Sequence, residues 1–204
     1  MRARIKLVCG VGTNDAEYEV VEHDYVGGRR VMSWICPKYS IWRGMLFRCY
    51  SESFKAKNPT YAECEVTPEW LRYSIFESWL DNQPWQGNDL DKDTLIRGNK
   101  LYSPETCIFI SHALNSFLLD RGALRGEYPI GVTWHAQNKT YRAKCKNPFS
   151  KRAESLGLHS TPEAAHLAWK RRKNELANIY ADMQTDQRIA NALRVRYLPN
   201  TEHK

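Results

Sequence analysis

The 204 residues contain no run of about 18 or more apolar side chains, so no membrane-spanning helix is expected. The start, Met1-Arg2-Ala3-Arg4-Ile5-Lys6, is basic and lacks a long apolar stretch behind it, so no secretory signal is expected. Cysteines stand at 9, 36, 49, 64, 107 and 145, and none forms a Cys-x-x-Cys pair. A disulfide framework is therefore not expected, and zinc lacks the short ligand knuckle it favours; free buried thiols fit the spacing better. No internal repeat or low-complexity tract stands out, which argues against solenoids and disordered linkers.

What is present is enough to fold. Hydrophobic residues make up 42% and aromatics 12%, which supplies a real core, and the length suits one large domain or two small ones. The formal net charge is +7, and its distribution is more informative than its sign. Between Arg121 and Glu175 there are 12 Lys and Arg against 4 Asp and Glu, an excess of +8. A surface of that kind attracts phosphates by counterion release.

Residues 1 to about 33 read as a hairpin-like start, with Gly27-Gly28 as its turn. Residues 36–80 read as helical and aromatic. Ile41, Trp42, Met45, Leu46 and Cys49 share one helical face, and Thr67-Pro68 predicts a capped helix carrying Trp70, Leu71, Tyr73, Ile75, Phe76, Trp79 and Leu80. These aromatics are expected in the core. Residues 89–120 then read strand, loop, strand, helix, with Ser111 as the helix N-cap. After a Gly-containing linker at 121–127, three strands are predicted, at Ile130–His135, Thr140–Lys146 and Glu154–Leu158. A long helix follows, opened by Ser160-Thr161-Pro162-Glu163 as a capping box and packed through Ala165, Ala168 and Trp169; more helix is expected from Tyr180 to Tyr197. The fold class is thus α+β, with domains expected at 1–120 and 121–204.

Two groups of residues could carry chemistry. In a strand, Asp89, Asp91 and Asp93 would point to one face, and clustered carboxylates suit a divalent cation such as Mg²⁺ or Mn²⁺. By the same alternation, Arg142, Lys144 and Lys146 share one face of the second C-terminal strand, with Tyr141, Ala143 and Cys145 on the other. Arg and Lys suit phosphates and guanine edges. Lys139 lies at one turn and Lys151 and Arg152 in the next, where they can extend the basic surface. The Lys170-Arg171-Arg172-Lys173 run wraps around the long helix and fits a solvated surface and a phosphate-tracking patch equally.

The series Tyr39-x-x-Trp42-x-x-Met45, Arg48-Cys49-Tyr50, Pro59-Thr60-Tyr61, Val66, Glu69-Trp70 and Phe76-x-x-Trp79, continued by Leu90-Asp91-Lys92-Asp93, Gly98-Asn99-Lys100, Tyr102-Ser103-Pro104-Glu105-Thr106-Cys107 and Asn115, resembles phage HNH-type homing endonucleases. The resemblance implies a degenerate ββα-metal motif in the N-terminal part. It also implies hydrolysis of DNA phosphodiester bonds with a divalent metal on Asp91 and Asp93, Asn115 as an orienting group, and an address in the host bacterial cytoplasm. Lys92 departs from the pattern by standing where the family's catalytic histidine usually stands, and Thr106 occupies a position often held by Asn. A lysine near pKa 10.4 is a poor general base, and neighbouring aspartates raise it further, which leaves Lys92 a phosphate contact and His112 a substitute base to be weighed. The C-terminal residues Gly131-Val132-x-Trp134, Tyr141-Arg142-Ala143-Lys144, Leu156-Gly157, Thr161-Pro162-Glu163-Ala164-Ala165 and Ala168-Trp169 resemble the plant ethylene-response-factor type of DNA-binding domain. That implies a three-stranded antiparallel sheet on a long helix, with the free sheet face in the major groove and Trp134 adding a contact.

Three functions compete. The first is a metal-dependent endonuclease acting on double-stranded DNA. The second is a DNA-binding protein that has lost cleavage with the histidine. The third is a phage protein that binds and inhibits a host protein through exposed tryptophans of the first half.

Overall fold

The computed structural model describes residues 7–119 and 126–198. The chain divides into two compact units, Met1–Ile110 and Ser111–Lys204. The expected linker, 121–127, falls mostly outside the described residues.

The first unit opens with a hairpin, β1 (Val21–Val26) and β2 (Arg29–Ile35), in antiparallel register. Gly27 and Gly28 both take positive φ, +59° and +76°, which a two-residue hairpin turn demands and a side chain resists. The ribbon is exposed on both faces; only Val21 and Ile35, at its base, are half-buried. Helix α1 (Pro37–Tyr50) starts on Pro37 and buries Tyr39, Trp42, Met45, Leu46 and Cys49. Its apolar spacing puts that face against α3 (Tyr73–Leu80), which buries Tyr73, Phe76 and Leu80. Between them lie α2 (Glu52–Lys57) and β3 (Glu65–Val66).

The helix expected from Thr67 onward is broken. Pro68–Leu71 forms a single 3-10 turn, and Arg72 is extended (φ −97°, ψ 125°) before α3 begins. Thr67 donates its hydroxyl to Glu69 and caps nothing. The break lets Trp70 turn into the core, where its carbonyl accepts from Trp42 Nε1 at 2.6 Å. Trp42 and Trp70 are buried, so the aromatic series is core, as its spacing predicts. β4 (Asn88–Asp91) pairs with β6 (Ile108–Ser111), and β5 (Leu101–Tyr102) runs parallel to β3.

The second unit begins with α4 (His112–Leu118), capped by Ser111, whose Oγ accepts from Leu114 N at 3.2 Å. The division between units thus precedes this helix. α4 is tied to the long helix α5 (Pro162–Asp182), where Lys173 Nζ donates to the Phe117 carbonyl and the rings of Phe117 and Tyr180 meet at 5.0 Å. The strands β7 (Val132–His135), β8 (Thr140–Lys146) and β9 (Ala153–His159) form an antiparallel sheet in that order. α5 covers one side of it, with Val132, Ala143 and Ala165 at the centre. The mixed α+β architecture with a three-stranded sheet on a long helix is as the sequence predicts. The cap differs by one residue: Thr161, not Ser160, accepts from Ala164 N, with Pro162 in the first turn. Gly131 is required by both backbone and space, since its φ is +83° and a Cβ there would lie 2.1 Å from Trp169. α6 (Gln187–Val195) follows and packs on α5. Among the described residues, no helix is long and apolar enough to cross a membrane.

Candidate nucleic-acid interface

β8 alternates as its sequence requires. Ala143 and Cys145 are buried beneath α5, and Tyr141 packs against the same cluster. Arg142, Lys144 and Lys146 therefore point to the side that α5 leaves open; Lys144 and Lys146 are exposed and Arg142 is half-buried. Successive cations stand ~7 Å apart along the strand. Their cross-strand neighbours on that side are Thr133 for Arg142 on β7, and Leu158, Ser155 and Ala153 on β9. None is acidic.

The three strands carry one carboxylate, Glu154, and it faces the other way. Arg172 of α5 donates to it from Nε at 2.7 Å and Nη2 at 3.1 Å, and Asn147 Nδ2 at 2.7 Å. The Arg172 and Asn147 hydrogen bonds hold the Glu154 carboxyl down at about 2. The only acid of the three strands is thus paired on the other side, and the strand residues that face the open side carry positive charge alone.

The turns extend that field. Lys139 closes a short 3-10 turn, Ala136–Asn138, in the left-handed conformation. In the β8–β9 turn, Asn147 Oδ1 accepts from Phe149 N at 2.8 Å and Ser150 N at 3.2 Å, which leaves Lys151 and Arg152 exposed. The structure therefore groups Arg142, Lys144 and Lys146 on one side, with Lys139 at one end of β8 and Lys151 and Arg152 at the other.

Trp134 does not join them. It pairs with Tyr141, their rings 5.0 Å apart, on the side that α5 covers, although it is 45% exposed. A one-residue parity decides this: Thr133, not Trp134, lies across from Arg142. Sequence reasoning also passed over His135 and Thr140, which face each other at the end of β7 and β8. His135 Nδ1 and Thr140 Oγ1 are buried with no hydrogen-bond partner. Only the strand register could have drawn attention to them. The basic helix run is partly consumed inside the fold, as Arg172 binds Glu154 and Lys173 turns inward to Phe117.

The aspartate segment has a different character. β4 ends at Asp91, so Asp93 lies beyond the strand and the three-carboxylate face is not formed. The chain turns there because Asp91 Oδ1 accepts the backbone N–H groups of Asp93 at 2.9 Å and Thr94 at 2.6 Å. Lys92 is 5% exposed; its Nζ donates to Asp93 Oδ2 and to the Asn99 carbonyl, both at 2.7 Å. Burial pulls the Lys92 ammonium down, but the hydrogen bond and charge of Asp93 more than offset this, and its pKa stands above the ordinary lysine value. Asn99 returns the contact, donating to the Lys92 carbonyl at 3.0 Å. Thr106 likewise serves a turn, donating to the Leu101 carbonyl at 2.8 Å. Asp91, Lys92 and Asp93 belong to the first unit; His112, at the exposed start of α4, and Asn115, half-buried on it, belong to the second.

This donor set is a poor fit for a divalent ion. One Asp91 oxygen holds the turn, and a lysine ammonium occupies Asp93. Among the described residues, no group of three or more His, Cys, Asp or Glu stands together to hold a metal. The six cysteines are free thiols, five of them buried. Compared with known proteins, the chain matches no family model, no curated protein and no solved structure.

Proposed function

We propose that the chain binds double-stranded DNA through the open side of the β7–β8–β9 sheet and does not cut it. The observation that carries this reading is the division of charge in the sheet. Arg142, Lys144 and Lys146 line the uncovered side, while the sheet's one carboxylate is turned under α5 and tied to Arg172. In this reading the open side lies along a major groove, with Arg142 and Lys144 central and Lys139, Lys151 and Arg152 reaching phosphates on either side.

The Asp91–Asn99 segment supports the non-cleaving form. Lys92 is locked between Asp93 and the Asn99 carbonyl, protonated, and cannot act as general base at neutral pH. In this reading it holds a turn. One observation favours the cleaving alternative: among the described residues, only Asp91 Oδ1 is engaged, in the turn, which leaves Oδ2 able to accept a metal.

One gel experiment decides between them. The protein is incubated with supercoiled plasmid, with and without Mg²⁺ or Mn²⁺, beside Asp91→Ala. Retarded, uncut plasmid under every condition is the expected result. Metal-dependent nicking that Asp91→Ala abolishes would make the protein a nuclease, and failure to retard the plasmid at low salt would remove the DNA-binding reading altogether.

A further inference from the structure

The second unit contains a cleft of about 460 Å³ between α4, α5 and the β8–β9 turn, walled by Phe117, Ile130 and Trp169, with Lys146, Lys151 and Lys173 among its lining residues. Among the described residues, no carboxylate lines it. Its size lies within the range of ~300–1,000 Å³ typical of small-molecule sites.

Lys173 is the informative residue. Its Nζ donates to the Phe117 carbonyl at 2.6 Å and sits 3.4 Å from the centroid of the Phe117 ring. The rings of Tyr197 and Trp169 lie 5.3 and 5.9 Å away. It pairs with no carboxylate among the described residues. An ammonium has three donors, and here one finds an oxygen while aromatic faces cover much of the rest. A charge held among apolar walls without a counter-ion is costly unless a partner arrives. Burial lowers its pKa to about 8, which records that cost while leaving the ammonium the majority form at neutral pH. Lys146 and Lys151 are exposed and add positive charge near the same cleft, so an anion is drawn in from solvent and meets a fixed cation inside.

We propose that this cleft binds a small organic anion, a carboxylate or phosphate monoester carried on a flat apolar body, with the charge on Lys173 and the body against Trp169 and Ile130. The apolar walls select against inorganic anions, and the cations select against neutral rings of the same shape. The cleft shares Lys146 and Lys151 with the proposed DNA surface, but its central cation, Lys173 of α5, lies outside that surface.

Isothermal titration with 2-naphthyl phosphate as the probe, and 2-naphthol as its neutral counterpart, tests it on the full chain. The expected result is binding of the phosphate with a Kd below about 1 mM, and of the naphthol at least about tenfold more weakly. Lys173→Met keeps the length and apolar stem while removing the charge, and should weaken phosphate binding by about tenfold or more. Ser116→Trp, at an exposed position on α4 that also lines the cleft, should block the site while the melting temperature stays that of the wild type. Equal affinity for the two probes, or undiminished phosphate binding in both variants, would overturn the proposal. So would the absence of any binding by the wild-type protein at millimolar probe.

Discussion

Replacing Arg142 and Lys144 together by alanine should alter the salt dependence of DNA binding by a calculable amount. The open side and its turns offer Lys139, Arg142, Lys144, Lys146, Lys151 and Arg152 to phosphates. If each neutralises one phosphate, the slope of log K against log[salt] is about −5 for the wild type. Between 50 and 200 mM NaCl that slope costs roughly a thousandfold in affinity. The double substitution removes two contacts, flattening the slope by about 1.8 and reducing the loss over the same range to roughly a hundredfold. Both side chains project from the uncovered side of β8, and among the described residues neither makes a hydrogen bond or ion pair within the fold, so stability should change little. Fluorescence anisotropy of a labelled duplex across that salt range measures the slope directly. Arg171→Ala serves as the control, since Arg171 is exposed on the helix that covers the other side of the sheet, and it should leave the slope unchanged. A double variant with the wild-type slope, or an equal flattening in the control, would refute the placement of DNA on this side.

Other consequences follow from local geometry. Gly131→Ala forces a side chain into Trp169 at a positive φ and should destabilise the second unit by about 2 kcal/mol, lowering its melting temperature by about 10 °C; an unchanged thermal transition would contradict the packing described. Lys92→Met leaves the Asn99 carbonyl and Asp93 without their ammonium and should cost about 1–3 kcal/mol in urea unfolding while DNA affinity holds. Loss of affinity without loss of stability would instead make Lys92 a phosphate contact. Glu154 has a folded pKa of about 2, below its ordinary 4.5. Its contribution to stability is therefore present above about pH 4.5 and lost as pH falls toward 2. The gap in urea midpoint between wild type and Glu154→Gln should be wide at pH 7 and close by pH 2; a gap that persists in acid would mean that Arg172 and Glu154 do not interact as an ion pair.

The amino-acid sequence by itself determined the local structure and its parity. Gly27-Gly28 dictated the hairpin, because only glycine takes both positive φ angles without strain. The helical spacing of Trp42, Met45 and Leu46 dictated a buried face, and the alternation in Thr140–Lys146 separated Arg142, Lys144 and Lys146 from Ala143 and Cys145. Each is a short-range consequence of backbone period and steric preference. The break at Arg72 was not legible, because Trp70 turns inward to meet Trp42, a residue 28 positions away. Nor was the end of β4, where hydrogen bonds to Asp91 outweigh an apparent strand pattern. Cross-strand register alone moved Trp134 off the basic side, since pairing, not sequence spacing, decides which residues of β7 and β8 share a side. Tertiary structure likewise decided which charges remain available. It turned Glu154 and Arg172 toward each other, buried Lys92 against Asp93 and left Lys173 facing an apolar cleft, because a charge inside a fold must find whatever partner the packing brings within reach.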